Sequence, residues 1–499
     1  MHLQKWPGGG EILGRAVLLL ALFLPGISAS AQTNLTGKRP NIILILTDDQ
    51  GYGDAGCTGN PIVKTPNIDR LYNEGVRFSD FHVSPTCSPT RASIMTGRHE
   101  FHSGVTHTIS ERERMSLRAT TIAQVLKAAG YTTGIFGKWH LGDEEPYQPN
   151  NRGFDEVFIH GGGGIGQTYV GSCGDVPGNT YFDPVIRHNG TFEKTKGFCT
   201  DVFFNQALGW AERKKGTQPF FLYLPLNAAH PPLSCPPQYE APYKGKVHPL
   251  VSTFFGMIAN IDENVGRLLA RLQEWGIDND TLVIFMNDNG GFDLACKIYN
   301  ADMKGSKNTP HNGGTRAMSL WRWPGTLKPA TCNQLTVHID LFPTFAQLAG
   351  AQVPPETASK LEGFSLVPLL ENSATPWHED RTLFTHIGRW PLGTEPAKYQ
   401  GCSVRWQNYL AVNLGKAWTL YDLKADPGET HDLATQRPQI LNQIEQRYDA
   451  WWDQTLPLLE NEQAYKTAPA VNPFKELYWK QYNGPGPNNV PPGTVIKPG

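Results

Sequence analysis

The chain reads as an α/β protein in which a large mixed, mostly parallel sheet is flanked by helices and followed by a smaller C-terminal α+β domain. Three observations predict this. From residue 41 onward, short apolar runs alternate with helical periodicities. Those runs end in polar clusters, as expected where ligand chemistry gathers beyond the carboxyl ends of the strands in an open sheet. Past residue 380 several strand-like runs come first and a helix last, the order of a small α+β unit.

Residues 1–31 carry Lys5 and Arg15, an apolar run at 16–24 and the small residues Ala29, Ser30 and Ala31, the pattern of a secretory signal. A catalytic α/β domain is expected over 39–350. Its strands fall at 41–46, 132–136, 220–224 and 282–286. A helix at 65–75 has Thr65 as its cap, Pro66 in its first turn and Gly75 at its end. A second, at 121–129, repeats Ile122, Val125, Leu126 and Ala129 before Gly130; others are expected at 253–275 and 340–349. The Gly-rich stretch 161–200 and the Pro-rich stretch 231–249 read as long loops over the active face. A connecting segment, 351–380, leads to a C-terminal subdomain over 381–465, with strands at 382–386, 401–405, 409–412 and 418–423 and a helix at 438–452. Residues 466–499, with Gly484-Pro485-Gly486-Pro487 and Pro491-Pro492, read as an extended tail.

Lys plus Arg total 44 against 46 Asp plus Glu, a net charge of −2, so no global field recruits nucleic acid or an anionic membrane. Past the signal, nothing supplies the roughly 20 apolar residues of a membrane span. The expectation is therefore an exported protein, periplasmic or secreted, without a membrane anchor once the signal is cleaved. Export permits disulfides among the eight cysteines, and Cys173 and Cys199, flanking the Gly-rich stretch, are the expected pair, with free buried cysteines the alternative.

The polar clusters carry the chemistry. Residues 42–46 lead into Asp48 and Asp49, and residues 282–286 into Asp288 and Asn289. Three carboxylates and an amide at two strand ends repel one another unless a hard divalent cation or hydrogen bonds satisfy them. Ligation by oxygen alone disfavours zinc. Cys87 opens a Pro-containing helix start, Cys87-Ser88-Pro89-Thr90-Arg91, where unpaired backbone N–H groups stabilise an anionic side chain. Lys138 and His140 follow a third strand end, and His230 a fourth.

The Cys-x-Pro-x-Arg run, continued by Ala92-Ser93-Ile94-Met95-Thr96-Gly97-Arg98, resembles the signature of type I sulfatases of the alkaline phosphatase superfamily, in which the cysteine is oxidised to formylglycine. Gly137-Lys138-Trp139-His140, the loop 227–232 and the segment from Lys304 to Arg316 resemble further motifs of that family in the right order, and the resemblance extends over about residues 39–455. It implies an alkaline-phosphatase-like fold and one calcium ion, with magnesium the alternative, on Asp48, Asp49, Asp288, Asn289 and the modified Cys87. It further implies that Arg91 orients the nucleophile, that Lys138, His230 and Lys307 meet the substrate sulfate, that His230 protonates the leaving alcohol, and that His140 takes a proton from the second hydroxyl of residue 87. Lys304 competes with Lys307, and His311-Asn312 replaces the aromatic residue and glutamate usual before the two glycines. The resemblance also implies a formylglycine-generating maturation enzyme as partner.

The expected function is sulfate ester hydrolysis on a sulfated small molecule or, more specifically, an oligosaccharide. Two alternatives stand beside it: a phosphomonoester or phosphonate ester hydrolase of the same fold, and a silent secreted carbohydrate-binding homologue. His386, Arg389 and Trp390 are candidates for the rim of the pocket.

Overall fold

The computed structural model describes residues 34–482. The signal segment at 1–31 and the end of the expected tail lie outside the described residues. Five parallel strands form the centre of a ten-stranded sheet: β1 (Asn41–Thr47), β2 (Thr132–Lys138), β3 (Glu156–His160), β4 (Phe220–Pro225) and β5 (Thr281–Asn287), in the spatial order β5-β1-β4-β2-β3. They are apolar along almost their whole length because both faces are covered, as parallel sheets require. Ile43 and Ile45 face a core with the long helix Pro249–Glu274 and the helix Cys199–Lys214. Ile42, Leu44 and Leu46 face the other core, with Leu341–Ala349, Ile122–Ala128 and Cys87–Thr96.

The register of this centre creates the site. Pairing Leu46 with Met286 and Thr47 with Asn287 brings Asp48 beside Asp288 where the two strands end. Pairing Leu46 with Pro225 lets Ala229 N–H donate to the Asp48 carbonyl, so the loop after β4 lies against the same acid.

Beyond β5 come Ser319–Arg322, antiparallel to it, then Val76–Phe78, antiparallel to that strand, and Ala330–Cys332, parallel to Val76–Phe78 at the edge; beyond β3 lies the hairpin Val185–His188 with Thr191–Lys194. This hairpin stands inside the stretch expected to be a loop. Its turn is Asn189-Gly190, both at positive φ, the arrangement that a two-residue hairpin turn needs. The smaller domain is a four-stranded antiparallel sheet, Thr382–His386, Gln400–Trp406, Tyr409–Leu414 and Thr419–Asp422, covered by the helix Pro438–Thr455 through Ile444, Tyr448 and Trp452.

Two expectations need correction. The tail from residue 466 contains a helix, Pro473–Tyr482, whose Phe474 and Tyr478 pack edge-on against Phe192 of the hairpin. All eight cysteines are free: Cys173 lies beside His140, whereas Cys199 begins a helix in the other core.

Glu113 is fully buried and neither carboxylate oxygen has a hydrogen-bond partner, so burial pushes it up to about 8. The folded protein keeps a proton that the unfolded chain loses near the ordinary glutamate value. This group's contribution to stability is therefore present at low pH, is lost as pH rises toward about 8, and is flat above. Glu113→Gln mimics the protonated acid without titrating. The variant is expected to gain on the wild type progressively between pH 5 and 8, by up to a few kcal/mol, and then plateau. Thermal melts across that range check it, and a pH-independent difference would contradict it.

Candidate active site

The helix Cys87–Thr96 enters with Thr86 extended before it and no side chain capping its start, so Cys87 sits at an open helix N-terminus. Cys87 Sγ lies 3.5 Å from His140 Nδ1, and Ser88 Oγ donates to the His140 carbonyl at 2.7 Å. His140 Nε2 is 2.8 Å from the Thr108 carbonyl, which only an N–H can satisfy. That contact fixes the tautomer and turns the Nδ1 lone pair toward residue 87. Burial, with Lys138 beside it, holds His140 well below the ordinary histidine range, so it is a neutral base. Its backbone is held at φ 60, a strained conformation for a residue with a side chain.

The acids meet three cations. Lys138 Nζ pairs with Asp48 Oδ2 and Lys307 Nζ lies 2.6 Å from Asp49 Oδ1, while Arg91 lies 2.8 Å from Asp288 Oδ2 and 3.4 Å from Asp48 Oδ2. Burial opposes the Asp48 charge, but Lys138, His230, Arg91 and Lys307 outweigh it and hold the carboxyl well below its usual range. Asp288 shares only Arg91, and burial together with the Asp48 charge pushes it up to about 7. Against burial, Asp49 holds Lys307 above the ordinary lysine range.

Arg91 ties the strand ends together. Its side chain is fully buried and reaches the ends of four strands: Asp48 after β1, the Lys138 carbonyl at the end of β2, the Leu226 carbonyl after β4 and Asp288 after β5. None of these hydrogen bonds runs to Cys87.

Lys307, rather than Lys304, reaches the acids; Lys304 Nζ turns toward Tyr421 Oη at 3.3 Å. Gly290 permits this approach, because a Cβ there would meet the Gly313 carbonyl at 2.4 Å and the Lys307 nitrogen at 2.9 Å. The Lys307 loop is also fastened to the cysteine segment by Asn308 N–H donating to the Pro85 carbonyl. His311 and Asn312, before the two glycines, meet a carboxylate from the C-terminal domain. Glu429, buried in the C-terminal domain, lies 2.5 Å from His311 Nδ1 and accepts from Asn312 N–H at 2.9 Å. Its signal was the Asp426-Pro427-Gly428-Glu429 turn, which reads as purely structural without the fold.

His230 Nδ1 lies 2.6 Å from the Pro231 carbonyl, leaving Nε2 facing Asp49 Oδ2 at 4.0 Å. Burial and then Lys307 push it down to about 4. Tyr181 Oη donates to the His230 carbonyl at 2.6 Å. The loop at 161–164 covers both histidines: a Cβ on Gly163 would lie 3.3 Å from His140 Cε1, and one on Gly164 3.1 Å from His230 Nδ1.

A hard cation fits this donor set. Asp48 Oδ1 and Asn289 Oδ1 are buried acceptors without a partner, beside the carboxylates of Asp49 and Asp288. Asp48, Asp49 and His230 can also present ligand atoms within 4.8 Å of one another. A cavity of about 320 Å³ lies elsewhere, bordered by His82, His99, His338, Arg381 and Arg405, and none of the groups above lines it.

Of the three rim candidates, His386 and Trp390 belong to the aromatic core of the C-terminal domain: His386 stacks on Trp452, and Trp390 meets Phe101 and Trp452 edge-on. Arg389 alone turns to the site, donating to Thr108 Oγ1 at 3.0 Å.

A family model described as Sulfatase matches residues 40–351, and one described as N-sulphoglucosamine sulphohydrolase, C-terminal, matches residues 307–452. Human arylsulfatase A is 31% identical over 464 residues, covering 82% of this chain and 87% of the relative. Human N-acetylgalactosamine-6-sulfatase is 31% identical, covering 74% and 73%. The crystal structure of Ps i-CgsB in complex with k-i-k-neocarrahexaose is similar with a TM-score of 0.75 at 28% identity, covering 89% of this chain and 99% of that one.

Proposed function

Because the chain belongs to the sulfatase family and is a sulfuric ester hydrolase, we propose that it is exported and releases inorganic sulfate from a sulfated carbohydrate through a formylglycine made from Cys87. Calcium, with magnesium as the alternative, is held by Asp48, Asp49, Asp288, Asn289 and residue 87. A separate formylglycine-generating enzyme performs the conversion.

The observation that carries this reading is the placement of residue 87 between a helix N-terminus and a neutral histidine lone pair, next to a charge-balanced acid cluster. Asp48, Asp49 and Asp288, when ionised, are matched by Arg91, Lys138 and Lys307. A bound dication screens the sulfuryl oxygens and favours the ionised nucleophile, adding two positive charges to that balance. A sulfate ester contributes one negative charge and an ionised hydroxyl another, whereas a phosphomonoester dianion leaves the site overfilled.

In the proposed reaction one hydroxyl of the hydrated aldehyde would lose its proton to water and bond to sulfur as the sulfur–alkoxide bond breaks, and His230, neutral at rest, would take up a proton from solvent on Nε2 and pass it to the departing oxygen. Lys138 and Lys307, paired with Asp48 and Asp49 at rest, would turn to the sulfuryl oxygens. His140 Nδ1 then takes the proton of the second hydroxyl, the aldehyde reforms, sulfate leaves, and water rehydrates the aldehyde. The k-i-k-neocarrahexaose named in the complex of Ps i-CgsB, and the name N-acetylgalactosamine-6-sulfatase, support a saccharide substrate.

Sulfate release measured across sulfated mono- and oligosaccharides, aryl sulfates and matched phosphate and phosphonate esters tests the reading. With converted, metal-loaded protein, sulfate esters are expected to be favoured over phosphomonoesters by roughly 100-fold or more in kcat/KM. A decisive phosphorus preference would assign the esterase alternative. Unconverted thiol at residue 87 in native protein, with no sulfate release, would assign the binding homologue.

A further inference from the structure

Arg389 is a cation the reaction above does not use. It follows the first strand of the C-terminal sheet and is held at φ 61, next to Gly388, where a Cβ would meet the Thr106 carbonyl at 2.0 Å. Arg389 N–H donates to that carbonyl at 3.2 Å. The small domain thus presses this residue onto the segment that supports His140. Its Nη2 donates to Thr108 Oγ1, and the same Thr108 holds His140 through its carbonyl.

The guanidinium has no carboxylate within ion-pair distance among the described residues, and its Nε is buried without a hydrogen-bond partner. The ionisable groups that face it and favour its charge are Cys87, Asp49 and Tyr169; His107 beside it is driven neutral by burial and by the Arg389 and Arg112 charges. Tyr169, on the Gly-rich loop, is 40% exposed. This half-buried guanidinium, with a buried unpartnered Nε and no carboxylate beside it, has donors left for an anion.

Resting on the reading of this site as a saccharide sulfatase, we propose that Arg389 determines specificity by binding a second anionic substituent, a sulfate or a carboxylate, on the saccharide that carries the scissile ester. The catalytic cations serve the sulfate being removed. Arg389 serves a neighbouring charge that stays on the product, so its contribution falls mainly on binding and appears in KM more than in kcat.

The test compares kcat/KM for matched saccharide sulfates carrying no second anion, a second sulfate, or a uronate carboxylate, using converted, metal-loaded wild type, Arg389→Gln and Arg389→Lys. Wild type is expected to prefer one of the doubly charged substrates by tenfold or more, and which one identifies the anion. Arg389→Gln is expected to lose that preference at least tenfold through KM, and Arg389→Lys to restore part of it. In wild type alone the preference should shrink as salt is raised. Equal losses on singly and doubly charged substrates, or a wild type indifferent to the second charge, would overturn the proposal and leave the sulfatase reading intact. Failure to release sulfate from any ester would overturn both.

Discussion

Cys87→Ala is expected to lower kcat for sulfate release by roughly 10⁴-fold or more while leaving the fold intact. The asymmetry follows from the contacts. Cys87 is 2% exposed, and its sulfur makes one polar approach, 3.5 Å to His140 Nδ1, so its removal opens a small gap worth about 1 kcal/mol. The chemistry loses its attacking group altogether. Cys87→Ser separates the two hydroxyls of the proposed nucleophile: one oxygen can still accept the sulfuryl group, but no second hydroxyl is there to expel it. Multiple turnover should vanish while a stoichiometric sulfated enzyme accumulates, visible as a mass increase on the peptide carrying residue 87. A Cys87→Ala rate within tenfold of wild type would remove residue 87 from the reaction.

The parts of this site legible in the sequence are those that strands carry by themselves. A fully buried parallel strand is a continuous apolar run, so residues 42–46 and 282–286 announce both the strand and the polar residues placed at its end. The β3 strand was missed because Glu156 and His160 bracket only three apolar residues. The edge hairpin was signalled by Asn189-Gly190, but the surrounding glycines hid it. The last helix had Phe474, Tyr478 and Trp479 at helical spacing, and the Gly-Pro repeats after it dominated the reading. Contributions across domains lay beyond the sequence altogether. Glu429 is separated from His311 by 118 residues and Arg389 from Thr108 by 281, and nothing local marks a carboxylate or guanidinium as belonging to a distant loop. The choice between Lys304 and Lys307 likewise depends on how the loop turns over Gly290.

Arg91→Ala is expected to destabilise the protein by about 3–5 kcal/mol, the range for removing one partner of a buried ion pair, and to remove activity as well. The guanidinium is the group on which four strand ends converge. Without it the Asp48 and Asp288 carboxylates face each other with one counter-charge fewer, and the Lys138 and Leu226 carbonyls lose donors in a space water does not reach. Arg91→Lys keeps the charge but has a single nitrogen that cannot span all four ends, so it should fall between wild type and alanine. The stability loss should be larger in chelator than with calcium present, because a bound dication takes over part of the compensation between the two acids. Denaturant unfolding of the three proteins with and without calcium measures each of these. A double-mutant cycle with Asp288→Asn should return a coupling of the order of 1–3 kcal/mol. An Arg91→Ala protein as stable as wild type would mean that the strand ends are held by their backbone pairing alone, with the buried arginine available to the nucleophile after all.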